Sequence, residues 1–415
     1  MSERSQTAER TTRTVVALGV AQTLAWGSSY YLPAMLATAI ARDLGISTST
    51  VFAAFSAALV ISALVGPYAG RAIDRHGGRP VLMITNGVFA AGLTALSLAH
   101  DSSALFAAWA LIGVAMGSGL YEAAFATLVR LYRHESRKAI TGITLIAGFA
   151  STIAWPLTTV LDAHFGWRNT CLTWAALHLV SGLPLNASLP RSSADRGVAQ
   201  AAPRATDSAA APPSRLTQAP RGLTAALLAY VFAVTWFIST AMASHLPRML
   251  EAAGATLAVA VGVGALVGPS QVAGRLVEFG LLRHLSPLAS ARLAAVAHPL
   301  GAVLLVTLGA PAAAAFGVLH GAGNGILTIA KGTLPLMVFG PTGYGARQGW
   351  LMMPARVTQA LAPVLFGIAL DRYGAAAAWL SAALGASAFI ALLAVPQPPS
   401  PPYRSHAAAQ RRDRL

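Results

Sequence analysis

Apolar residues fall along this chain in long blocks of Ala, Leu, Val and Ile, each closed by a short polar stretch. The blocks repeat at the length a bilayer demands, since a helix rising 1.5 Å per residue needs about twenty apolar residues to cross. The pattern predicts twelve spanning helices: 14–40, 51–70, 81–99, 104–132, 139–161, 167–189, 223–247, 256–279, 287–308, 312–339, 349–370 and 375–395. Block 14–40 is too long for a signal-peptide core and lacks a small-residue cleavage pattern, so it reads as a retained first helix that Pro33 kinks. Residues 190–222 break the texture with Ala, Pro, Ser and Arg in no apolar period, which predicts a disordered linker. The expected domains are a tail (1–13), a six-helix bundle (14–189), that linker (190–222), a second six-helix bundle (223–395) and a tail (396–415).

Composition agrees with this pattern. Of 415 residues, 55% are hydrophobic and only 10% charged, with a mean hydropathy of +0.60. So few charges cannot cover the surface of a water-soluble chain of this size. The formal charge of +15 would suggest an anionic partner, but its placement decides otherwise. In the predicted topology 23 of the 29 Lys and Arg residues fall in the tails and alternate loops of one side or in the span ends next to them. That is the positive-inside asymmetry, which places the linker and both termini in the cytoplasm. No basic patch interleaved with aromatics is present, so nucleic acid is not an expected partner. Cys171 is the sole cysteine, which excludes an intramolecular disulfide and a Cys-rich metal site and reads as a small apolar filler.

The two halves echo each other. Leu32-Pro33-Ala34-Met35-Leu36 returns as Leu246-Pro247-Arg248-Met249-Leu250, and Gly66-Pro67 with Gly70-Arg71 as Gly268-Pro269 with Gly274-Arg275. Gly113-Val114 with Gly117 and Gly119 returns as Gly317-Val318 with Gly321 and Gly323, and Pro156 as Pro363. Such a duplication predicts an all-α membrane protein of twelve transmembrane helices in two pseudo-symmetric six-helix bundles, with a cavity between them.

Ionisable groups at membrane depth are costly, and three stand out. Glu122 lies eight residues before Arg130, about 12 Å from the end of its helix. Lys331 and Arg356 lie at comparable depth in the tenth and eleventh spans. If the three met, two cations against one carboxylate would leave a net positive charge suited to an anion; a structural pairing of Glu122 with Lys331 or Arg356 is the alternative. Trp26, Ser28, Ser29, Tyr30 and Tyr31 in the first span, with Trp236, Ser239, Thr240 and His245 in the seventh, form the apolar wall and hydrogen-bonding groups typical of solute sites. His178, His298 and His320, each alone in the sequence, read as packed residues. The glycine clusters GVAMGSG and GAGNG lie inside spans, lack the G-x-x-x-x-G-K-[ST] pattern and read as close-packing sites. There is no H-E-x-x-H and no G-x-S-x-G motif, so the chain is not expected to be an enzyme, and neither metal nor cofactor is expected.

One polar stretch, GPYAGRAIDRHGGRP at 66–80, joins spans two and three. Its spacing G-x-x-x-D-R-x-G-x-R, carried by Gly70, Asp74, Arg75, Gly77 and Arg79, resembles the loop between helices two and three of the major facilitator superfamily. The resemblance covers nearly the whole chain and implies two bundles that rock about a central site. It also implies a latch, in which Asp74 caps or pairs with the cytoplasmic end of a neighbouring helix and the arginines pair across the halves, holding the outward-facing state. The second half keeps only Glu278 and Arg283 out of register, so one strong latch is expected. In that fold helices four and ten face the cavity and helix eleven flanks it, which would bring Glu122, Lys331 and Arg356 together. Y-Y-x-P at Tyr30–Pro33 and F-G-W-R at Phe165–Arg168 are similar to the monocarboxylate and oxalate–formate branch. Trp109 and Gly113 stand where drug–proton antiporters of the superfamily carry an arginine, and Trp155-Pro156 departs from their glycine–proline signature, so a typical multidrug antiporter is not expected.

The expected function is secondary active transport of a small anionic solute across the bacterial cytoplasmic (inner) membrane by alternating access, driven by a proton or counter-solute gradient. The expected partners are the solute and the bilayer, and the expected state is a monomer. The alternatives are an efflux facilitator for a drug or metalloid and a facilitator-fold sensor that does not transport.

Overall fold

The computed structural model describes residues 3–190 and 221–397; most of the expected linker and of the C-terminal tail lies outside the described residues. Nine helical stretches among them are long and apolar enough to cross a bilayer. Two of these, Ser136–Ala187 (52 residues) and Tyr344–Ala394 (51 residues), are twice the required length. They fold back at Gly166 (φ 75°) and Gly374 (φ 53°), left-handed conformations that only glycine adopts freely. With the broken first span this makes twelve passes.

The first span consists of α1 (Glu3–Ser28) and α2 (Leu32–Leu44), so helix begins inside the stretch read as a tail. The break falls at residues 29–31, and Pro33 sits in the first turn of α2, where a missing N–H costs nothing. Pro33 therefore starts a helix instead of kinking one. Spans two and three are α3 (Thr48–His76) and α4 (Gly78–Ser97). Span four is α5 (Ser102–Gly119) and α6 (Tyr121–Tyr132), and span five opens with α7 (Ser136–Ala147). The helix α8 (Ala150–Leu177) carries the rest of span five and, past Gly166, most of span six. A π-helical turn at His178–Gly182 and the short α9 (Leu183–Ala187) complete it. The second half follows as α10 (Arg221–Ala252), α11 (Leu257–Gly280), α12 (Pro287–Leu308), α13 (Ala313–Phe339), α14 (Tyr344–Tyr373) and α15 (Ala377–Ala394). Ser47, Asp101, Thr256 and Ser286 cap α3, α5, α11 and α12 by accepting a backbone N–H three residues on.

Lipid is as apolar as the helices, so close approach of small residues holds the spans together. The glycine echoes do this in both halves. A methyl group on Gly113 would fall 2.6 Å from Ala58 O, and one on Gly117 2.7 Å from Ser62 O, pressing α5 onto α3. Gly317 and Gly321 of α13 meet Val263, Val267 and Ser270 of α11 in the same manner. Large apolar side chains face outward, among them Ile84 and Val180, which are 69% and 74% exposed. Facing hydrocarbon, they cost nothing.

Candidate functional site

The site lies where α1, α6, α10, α13 and α14 converge. The glycines of 117–119 end α5, and the chain restarts as α6 at Tyr121, which puts Glu122 in a first helical turn, where the dipole favours a carboxylate. Gln22 Nε2 donates to the Gly119 carbonyl freed by the break, at 2.6 Å. Arg356, buried on α14, donates from one nitrogen to both Glu122 oxygens at 2.9 and 3.1 Å. Its other terminal nitrogen donates to Gln359 Oε1 at 3.0 Å. Gln359 in turn donates to the Tyr30 hydroxyl (3.1 Å), which lies 3.4 Å from Thr240 of α10. One hydrogen-bonded chain thus ties both halves together at mid-depth.

Lys331 on α13 stands apart from that chain. It is 4% exposed, and among the described residues its ammonium has no hydrogen-bond or ion-pair partner. It rests over the Trp236 ring, 4.1 Å from the centroid, while Arg356 approaches the same ring at 5.2 Å and Trp26 at 6.0 Å. A desolvated cation over indole gains about 2 kcal/mol, which is well short of what a carboxylate would supply in such a place. Glu122 answers one of the two cations, so with Lys331 protonated the cluster carries one positive charge in excess. Trp26 and Trp236, from opposite halves, lie parallel within 8° at 6.2 Å, and both indole N–H groups are buried without a partner. Tyr30 and Tyr121 pack on Trp26 at 5.2 and 5.0 Å. Tyr31 sits at the margin, between Trp26 and Trp155.

The structure therefore brings Glu122, Lys331, Arg356, Trp26, Tyr30 and Trp236 together and leaves Tyr31 at the edge. Sequence reasoning missed Gln359, Tyr121 and Gln348, whose amide donates to Lys331 O at 3.0 Å. The position of Gln359, one helical turn after Arg356, was the available signal. His298 and His320 are not isolated: their Nδ1 atoms lie 2.9 Å apart between α12 and α13. His178 packs in α8's continuation with Ser28 and Asn86 on its two nitrogens.

At the end of the bundle that carries the basic loops, the Asp74 carboxylate accepts the backbone N–H groups of Gly345 and Ala346 at 2.9 and 2.8 Å. It thus caps α14 of the other half. Gly70 lies against the Gly345 carbonyl, leaving no room for a side chain, and Gly77 (φ 84°) ends α3. The arginines do not pair across the halves as expected. Arg75 is exposed, Arg79 makes no ion pair among the described residues, and Arg71 stacks on Tyr68 of its own helix.

The expectation of one strong latch also needs correction. Arg137 of α7 pairs with the buried Glu278 of α11 at 2.8 Å and donates to Leu285 O at 2.8 Å. The buried Arg275 donates to Thr144 O at 2.9 Å. These contacts join span five to span eight, the counterparts of spans eleven and two. The charges that make these contacts are far apart in the chain, Arg137 on α7 and Glu278 on α11, so no single motif announces them. Both sets of contacts lie at the same end of the molecule.

A duplicated twelve-pass bundle that holds charged and aromatic groups between its halves is the architecture of a membrane transporter. Residues 18–330 match the family model described as Major Facilitator Superfamily, and the chain belongs to that superfamily. Among solved structures, the proton:xylose symporter XylE superposes with a TM-score of 0.74 at 11% identity, over 94% of this chain and 97% of that one. The transporter FucP does so with a TM-score of 0.70 at 15% identity, over 92% and 99%. Among curated proteins, "Multidrug resistance protein MdtL" of Salmonella schwarzengrund (strain CVM19633) is 29% identical over 145 residues, 35% of this chain and 36% of its own length. Its counterpart in Salmonella heidelberg (strain SL476) is 28% identical over 171 residues, 40% and 43% of the two lengths. The chain thus spans well under half the length of these curated relatives.

Proposed function

We propose that this transporter moves a small anionic solute by alternating access, with Lys331 as the principal charge that receives it. The observation that carries this reading is the buried Lys331 ammonium, which no carboxylate neutralises while Glu122 is engaged by Arg356. An anion beside Lys331 and the two unpartnered indole N–H groups would bring the cluster to neutrality and satisfy donors that burial makes expensive. In this reading Arg356 is held ready by Glu122 and Gln359, and Tyr30 links solute occupancy in one half to the other. Gly70, Asp74 and Gly77 act in the latch. The bundles 14–189 and 223–395 rock about this point, driven by a proton or counter-solute gradient. The basic end, linker and termini face the cytoplasm of a bacterium, and the unit is a monomer.

The test is flux in proteoliposomes. Labelled organic acids and metalloid oxyanions are offered to the purified full chain and to the Lys331→Gln/Arg356→Gln variant. The reading expects wild-type flux that the variant, still folded and inserted, loses. Unchanged flux in the variant contradicts the anion site, and binding without movement of label marks a sensor. Efflux of a drug is the second reading, favoured by the multidrug-resistance name of the curated relatives and by the aromatic wall of Trp26, Trp236, Tyr30 and Tyr121. It predicts transport of apolar cations that depends on Glu122 and is indifferent to Lys331.

A further inference from the structure

A cavity of about 420 Å³ opens at the basic end of the first half, away from the Lys331 cluster. Its walls are the end of α3, the start of α4, the end of α6 and Pro190. Two arginines, Arg79 and Arg130, line it together with the His76 imidazole, and among the described residues no carboxylate does. His76 uses Nδ1 on Ala72 O, which leaves Nε2 for another partner. Arg79 has no hydrogen bond or ion pair among the described residues. Thr127 adds one hydroxyl to the wall, and Met83 and Leu131 give it an apolar side. Next along α4, Ile84 is 69% exposed, so the apolar surface continues outward onto the face that meets hydrocarbon.

We propose that this cavity binds the phosphate of an anionic phospholipid head group, with the acyl chains lying along α4. The volume is that of a small-molecule site. A basic pocket between spans, at the end of the apolar helices, meets phosphate at the high local concentration of a bilayer surface. The chain that continues from Pro190 is a poor occupant by charge, because residues 191–221 carry five arginines against two aspartates. An anion is what the lining lacks. The walls include the loop that aims Asp74, and Arg130 already holds the Asp74 and Arg75 carbonyls. A head group bridging Arg79 to His76 thus ties the start of α4 to the end of the helix that carries the latch. None of this depends on what the transporter carries.

The test uses the purified full chain in detergent, titrated with phosphatidylglycerol or phosphatidylcholine and read by lipid retention in native mass spectrometry and by the thermal midpoint. The proposal expects phosphatidylglycerol to be retained and to raise the midpoint, and phosphatidylcholine to do neither. Arg79→Gln/His76→Gln should weaken phosphatidylglycerol binding by about tenfold or more, the loss of a charge-assisted contact. Lys138→Gln, which removes a charge from the same end outside the cavity, should leave it unchanged. Equal retention by wild type and the double variant would overturn the proposal. So would a thermal shift from millimolar glycerol 1-phosphate or inorganic phosphate as large as that from the lipid, which would mark a soluble anion as the ligand. A double variant that fails to fold is replaced by Arg79→Lys, for which a head group held by a guanidinium fork predicts a smaller but measurable loss.

Discussion

The Asp74 carboxylate of one bundle lies 2.9 Å from the Gly345 N–H of the other, and the second oxygen takes the next N–H along. In the proposed rocking of the bundles this bond exists only while that end is shut, so the carboxylate would act as a switch. Replacing it with an amide keeps the shape and removes the charge that the helix dipole favours. Asp74→Asn is expected to weaken closure by about 1 kcal/mol, roughly fivefold in the open-to-closed ratio. The measurement is labelling of Ile140→Cys, a position that faces Gly332 of the other half. Cys171, the sole native cysteine, is buried and leaves the background low. Labelling identical with and without Asp74→Asn would remove the latch.

Closure at the same place needs a bare backbone. Because a methyl on Gly70 would fall on the Gly345 carbonyl, Gly70→Ala must hold α3 and α14 apart. Overpacking of this kind costs about 1–3 kcal/mol. Ile140→Cys labelling should therefore rise more for Gly70→Ala than for Asp74→Asn, and an unchanged rate would show that the two helices do not approach this closely.

The second latch gives a sharper double test. Arg137→Gln strands Glu278, which is 4% exposed, and should destabilise the closed state by about 3–5 kcal/mol. Glu278→Gln in the same chain removes the stranded charge and should restore most of that loss. Thermal midpoints of the two single variants and the double variant in detergent check this, and additive losses would show that the pair is not a unit.

The pair Glu122–Arg356 follows the same logic inside the solute site. Arg356→Gln leaves a carboxylate at mid-depth beside Lys331, and Glu122→Gln leaves two unanswered cations. Each single variant should lower stability by about 3–5 kcal/mol and the double variant by much less. If instead Arg356→Gln is as stable as wild type, Lys331 has taken over as the partner of Glu122.

Much of this was legible in the sequence, and the limits have physical causes. Bilayer thickness imposes a length on every span, so twelve apolar blocks could be counted, and duplication made the glycine echoes visible before their contacts were. Membrane depth marked Glu122, Lys331 and Arg356, because charge there is rare. Which of them pair depends on how α13 and α14 face α6, and spacing along one helix says nothing about that. The breaks at residues 29–31 and at Leu120 were equally hidden, since a helix interrupted for one to three residues keeps its hydropathy. They matter because they place Tyr30 and Glu122 at helix ends beside the site. The partners of Asp74 were invisible for another reason: backbone N–H groups carry no sequence signature. The cross-bundle pair Arg137–Glu278 lies 141 residues apart, beyond any local pattern.

The solute-site reading rests on the uncompensated charge of Lys331, and one comparison tests it most directly. Wild type, Lys331→Arg and Lys331→Gln are reconstituted side by side, and flux of the same labelled anion, chosen by thermal-shift screening of organic acids and metalloid oxyanions, is measured in each. Full flux in wild type, partial flux with arginine and a loss of about tenfold or more with glutamine is the expected order. Glutamine at this position supporting the wild-type rate would contradict it.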